Sequence, residues 1–205
     1  MVLESMDMRK ETNNLTIYHQ NIRNLNKKKD EKNIMLQESH GRLHLVCLSE
    51  HHTRKEEMMD LTFPGYKLAN CFCRKTYSNG GVCILARNDM TYQAIDLDKL
   101  CKEKVFEISA IKLNTCSTKL TLCCVYRSLS KNPNYFLELL KKTLNFLYQP
   151  NVSLVICGDL NINFLVDSSV KQTLESIMKT FNLTQAFTFP TRIRNDKGTQ
   201  LTAYF

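Results

Sequence analysis

The 205 residues suit one large domain, with 43% hydrophobic and 23% charged side chains, the balance of an ordinary globular chain. No apolar run approaches the ~20 residues of a membrane span, and the polar, acid-bearing start MVLESMDMRKETNN is unlike a secretory signal. The formal net charge of +8 favours an anionic partner, nucleic acid first, although solubility alone would also account for it.

The nine cysteines are an odd number, and several lie inside apolar runs: Cys47 in LVCLSE, Cys123 and Cys124 in LTLCCVY, Cys157 in LVICGD. Such positions usually hold buried thiols acting as small hydrophobes. CFC at 71–73 is not a CxxC and no second pair follows at zinc spacing, so the spacing argues against a zinc site. A reducing compartment, nuclear or cytoplasmic, is the expectation.

Residues 1–14 read as a polar tail and 15–205 as a single domain, with no repeat or linker dividing it. LTIYHQN alternates and predicts a strand. Asp30 is the expected N-cap of a helix through EKNIMLQESH, with Gly41 beyond its end. LHLVCLSE (43–50) predicts a strand buried on both faces. GGVCILAR, VFEISAIKL and KLTLCCVYR predict further strands, and TYQAIDL is a candidate for one more. NPNYFLELLKKTLNFLYQ predicts a helix capped by Asn132 with Pro133 at its first position. SLVICGD predicts a strand. SSVKQTLESIMKTFNL predicts a helix, with Ser169 and Gln172 as its capping box. The order is mixed α/β with a largely antiparallel middle.

Four strands end in polar groups: HQN at Gln20 and Asn21, LSE at Glu50, VYR at Tyr126 and Arg127, and ICGDLN at Asp159 and Asn161. Strand ends are where α/β proteins place ligand-binding groups. The alternative for Gly158-Asp159 is an ordinary turn. The set suits metal-assisted hydrolysis of a phosphate ester. Hard cations such as Mg2+ take carboxylate and carboxamide oxygens, which Glu50 and Asn21 carry. Asp159 can orient or deprotonate a water, and Asn161 can hold that water or the phosphate. Tyr126 can hydrogen-bond a phosphate oxygen and Arg127 can neutralise its charge.

HQNIRNL, LVCLSEHH, GGVCILAR, CCVYRSLS, ICGDLNINF and TFPTRI, in this order and spacing, resemble the endonuclease/exonuclease/phosphatase superfamily. The YR-S and FPTR features look most like the endonuclease domain of non-LTR retrotransposons. The resemblance covers roughly residues 15–205. It implies a four-layer α/β sandwich, two packed mixed sheets flanked by helices, and Mg2+-dependent (or Mn2+-dependent) cleavage of DNA. It assigns Glu50 and Asn21 to the metal, Asp159 and Asn161 to water and phosphate, and Tyr126 to orienting the phosphate. Thr191 and Arg192 fall at the DNA-binding surface, and a reverse transcriptase domain is the expected neighbour in a full reading frame. Glu107 sits where such proteins often carry Glu and has no role assigned.

Three features depart from that pattern. Thr202-Ala203 stands where Ile-Asp is expected, and the terminal Asp and His of the pattern are absent. The expectation is therefore a chain lacking its last strands, with a bare sheet edge and impaired activity. The alternatives are an inactive remnant that binds nucleic acid or protein, or a hydrolase of a small phosphoester. The NKKKDEK run at 26–32 reads as a solvated loop entering a helix, with a DNA clamp as the alternative, and His19, His51 and His52 as structural or surface residues.

Overall fold

The computed structural model describes residues 15–114, 119–129, 132–186, 192–194, 197–200 and 202–205; the expected tail at 1–14 lies outside them. The first sheet contains β1 (Ile17–Asn21), β2 (Leu45–Ser49), β3 (Tyr66–Phe72) and β4 (Val82–Arg87), in the order β1-β2-β4-β3. β1 runs parallel to β2, while β4 is antiparallel to both β2 and β3. The second sheet takes β5 (Gln93–Ile95), β6 (Glu107–Asn114), β7 (Lys119–Tyr126) and β8 (Ser153–Asp159). A short hairpin, β9 (Arg192–Arg194) with β10 (Lys197–Thr199), precedes β11 (Thr202–Tyr204). The second sheet reads β11-β8-β7-β6-β5, and β8 is paired on both edges.

Four helices, α1 (Lys29–Glu38), α2 (Lys55–Asp60), α3 (Pro133–Leu147) and α4 (Ser169–Thr180), cover the outer faces. α1 and α3 are the crossovers that parallel pairing of β1 with β2 and of β7 with β8 requires. Strand alternation then sorts the apolar residues into three cores. Leu45, Ile84, Ile111, Leu120, Leu122 and Tyr126 fill the space between the sheets. Phe106, Val125, Ile156, Leu140, Leu144 and Leu174 fill the side of α3 and α4. Leu36, Val46, Met58, Tyr66 and Leu85 fill the side of α1 and α2. This is the expected four-layer α/β sandwich.

The differences from the sequence expectations are local. Lys28, not Asp30, precedes α1, because a 3-10 turn over Asn26–Lys28 leads straight into it; Asp30 lies in the first turn, where its charge favours the helix dipole. The cap of α4 is Ser168, whose hydroxyl accepts from the Lys171 amide while Ser169 is already helical, so Ser169 and Gln172 form no box. Asn132 and Pro133 open α3 as expected. β3, α2 and the hairpin were not legible beforehand. β11 pairs with the outer edge of β8 and is the last strand on that side of the second sheet among the described residues.

Candidate active site at the strand ends

The parallel registers decide which residues meet. β1 and β2 align Asn21 with Ser49, which leaves Glu50 one step beyond, and β7 and β8 align Tyr126 with Asp159. Both sheets therefore end on the same side. Gly158 allows it: a Cβ there would stand 1.9 Å from the Val125 carbonyl oxygen, so only glycine lets β8 run this close to β7 just before Asp159. The chain then turns sharply, with Glu50 (φ 55°), His52 (φ 59°) and Asn161 (φ 50°) in left-handed conformations. Non-glycine residues adopt that region at a cost of order 1–3 kcal/mol, a strain that clusters at functional sites.

Asn21 joins the two sheets. Its Nδ2 donates to Glu50 Oε1 at 2.9 Å and to Asp159 Oδ2 at 2.5 Å. Its Oδ1 is buried and has no hydrogen-bond partner among the described residues. Asp159 Oδ1 accepts from the Asn161 amide at 3.1 Å, and Asn161 Nδ2 donates to the Arg127 carbonyl at 2.6 Å. Burial raises the Asp159 carboxyl above its ordinary range, with the Asn21 and Asn161 hydrogen bonds pulling it back. Burial, and then Glu50, to which the phenol hydrogen-bonds, push Tyr126 up, so it stays protonated and able to donate.

These oxygens fit a hard divalent cation. The Asn21 amide nitrogen lies between two carboxylates while its carboxamide oxygen is buried without a partner among the described residues, and such an orphan is costly unless something pairs with it. Asn21 and Glu50 are the residues that would hold such an ion.

Arg127, expected at the phosphate, is buried, and its Nη1 donates to the carbonyls of Leu160 and Asn161 at 3.1 and 3.0 Å. The guanidinium is used to shape the loop after β8 because those carbonyls end a strand without ladder partners. Thr191 lies outside the described residues, and Arg192 begins β9. An exposed cation does come near: Arg23, in the turn after β1, is close enough to Asp159 to draw its carboxyl down.

Glu107 lies wholly buried beside Tyr126 in the sheet register and holds Arg74 with Nε at 2.7 Å and Nη2 at 2.5 Å. It also accepts from the amides of Gly81 and Lys104 at 2.7 and 2.9 Å. Arg74 in turn lies over the Tyr126 ring, 5.9 Å from its centroid. The pair thus braces the phenol from below. Arg74 left no trace in the sequence, whereas a Glu inside the apolar stretch VFEISAIKL was a signal that something must neutralise it.

His51 is fully buried; its Nδ1 accepts from the Thr53 amide at 3.0 Å and its Nε2 faces the Phe72 carbonyl at 3.0 Å. Burial lowers it to about 4, so it stays neutral. His52 Nε2 is 3.6 Å from Glu50 Oε2, and burial lowers its pKa although Glu50 opposes the shift.

No protein-family model and no curated protein matches the chain in sequence. Solved structures do. The endonuclease domain of TRAS1, a telomere-specific non-LTR retrotransposon, superposes with a TM-score of 0.71 at 14% identity, over 93% of this chain and 83% of that one. The AP endonuclease LMAP from Leishmania major gives 0.62 at 12% identity, over 92% and 77%. A mannosyl-6-phosphatase from Bacteroides thetaiotaomicron gives 0.61 at 12% identity, over 93% and 84%. The chain has the endonuclease/exonuclease/phosphatase fold, one shared by nucleases and phosphatases.

Proposed function

We propose that the chain is a divalent-cation-dependent phosphodiesterase acting on DNA as a nicking endonuclease of the retrotransposon type. The observation that carries this reading is the Asn21 carboxamide bridging Glu50 and Asp159 across the two sheets. A cation bound by Glu50 and the Asn21 oxygen would supply charge neutralisation at a phosphoryl oxygen. Asp159, its carboxyl raised by burial and steered by Asn21 and Asn161, orients an attacking water and takes its proton. Tyr126, kept protonated, can turn its single phenol proton from Glu50 to a phosphate oxygen. Arg23 is an exposed cation beside the site that can meet the DNA backbone, whereas Arg127 is engaged with the loop carbonyls. A reverse transcriptase domain in the same reading frame would extend the strand so released.

Nicking of supercoiled plasmid in Mg2+ tests the reading. Asp159→Ala and Glu50→Ala are expected to lower the rate by about 10²–10⁴-fold, the usual scale of a lost acid–base group. Equal nicking by wild type and both variants would sink it.

A second reading, a binding module that has lost its chemistry, draws on position 203. β11 sets Ala203 opposite Gly158, one step from Asp159, where the family resemblance expects Asp. A folded wild type that binds duplex DNA yet shows no nicking in Mg2+ would favour this reading.

A further inference from the structure

Three thiols from three strands meet in the space between the sheets. Cys47 comes from β2, Cys124 from β7 and Cys157 from β8; all are buried and their Sγ atoms lie within 4.8 Å of one another. Cys124 and Cys157 are register partners across the parallel pair, and Cys47 approaches from the opposite sheet. His19, register partner of Cys47, is buried in the same layer with Nε2 3.2 Å from Ser49 Oγ. The other buried cysteines face away: Cys123 into the core under α3 and α4, and Cys71, Cys73 and Cys83 into the core under α1 and α2.

We propose that Cys47, Cys124 and Cys157 form a zinc site, with His19 as the candidate fourth donor. Zinc–sulfur bonds of about 2.3 Å in tetrahedral geometry set the sulfurs about 3.8 Å apart. The trio reaches that spacing by side-chain rotations that close the gaps by at most about 1 Å. Zn2+ entering the site displaces three thiol protons to solvent, because coordinated thiols bind as thiolates. The bound set, three thiolates and Zn2+, then carries one net negative charge, where the three thiols carried none. Cys124 and Cys157 would give up weak contacts to the Leu48 and Cys123 carbonyls, at 3.8 and 3.6 Å. The position suits a brace. Side chains two apart share a face of a strand, so Cys124, Cys157 and His19 sit one layer beneath Tyr126, Asp159 and Asn21. The ion would tie the sheets together under the proposed active site, whether or not that site cuts DNA.

The test is the metal content of the full chain purified from zinc-supplemented cells and dialysed extensively. About one zinc per chain is expected to remain, the behaviour of a structural site. Cadmium added to metal-free protein is expected to give sulfur-to-metal charge-transfer absorbance in the ultraviolet. Cys124→Ser and Cys157→Ser should each lower retained zinc by about tenfold or more, while Cys71→Ser and Cys73→Ser leave it unchanged. Wild-type protein with native circular dichroism that retains no zinc and gives no cadmium–sulfur absorbance would overturn the site. Zinc lost equally in the Cys71 and Cys73 variants would overturn the assignment of ligands.

Discussion

Cys71 sits at one wall of a groove of about 1190 Å3, among Arg54, Lys55, Tyr77 and Lys102. The Cys73 thiol, 3.9 Å away, hydrogen-bonds to it and the Lys55 ammonium lies 3.4 Å from its sulfur. Together they hold the Cys71 thiol at about 6 against the opposing effect of burial. The thiolate is the reacting species, so alkylation by iodoacetamide, followed at Cys71 by mass spectrometry, is expected to reach half its limiting rate near that pH. Lys55→Met removes one stabilising cation and moves the midpoint upward. A midpoint near 8.5, the value of a free cysteine, would contradict the geometry. Cys73 is pushed the opposite way, since it gives its proton to the shared bond and is buried, and it should remain unlabelled through neutral pH.

Among the elements, β6 carries the strongest prediction because it buries a charge. Glu107 is fully enclosed and its partner Arg74 nearly so. Removing one member of such a pair leaves the other uncompensated, so Arg74→Ala should destabilise the fold by about 3–5 kcal/mol. Urea denaturation measures this, and a loss under about 1 kcal/mol would mean the pair behaves as an exposed one. The same pairing explains what was legible in the sequence. β2, β7 and β8 were readable because burial on both faces makes them continuous apolar runs. Their ends displayed Glu50, Tyr126 and Asp159 at once. β3 was not readable, since YKLANCF mixes buried Tyr66 and Cys71 with exposed Lys67, and a bulge at Leu68/Asn70 breaks its alternation. α2, six residues long, shows only Met58 to the core. Arg74 comes from the loop after β3 and meets Glu107 across 33 positions, a closeness that no local pattern encodes. The thiol trio escaped for the same reason: each strand supplies one ligand, so no spacing motif arises.

At the scale of the whole molecule, the net charge of +8 becomes informative once its placement is known. The turn after β1 is fixed to the loop after β2 by the amides of Ile22, Asn24 and Leu25, which donate to the carbonyls of Ser49, Glu50 and His51 at 2.9 Å each. Arg23 and Lys27 are both exposed on this segment. The lysine-rich run therefore enters α1 beside the site instead of on a remote face. If DNA lies across these strand ends, each cation on a phosphate releases counterions, and the logarithm of affinity falls linearly with that of salt. Arg23→Ala and Lys27→Ala should each reduce the magnitude of that slope by about 1 while weakening binding alike on unrelated sequences. Fluorescence anisotropy with a labelled duplex, with EDTA present to prevent cutting, measures this independently of catalysis. An unchanged slope in both variants would move the DNA path away from the β1 turn, even if the strand-end carboxylates proved to be the catalytic groups.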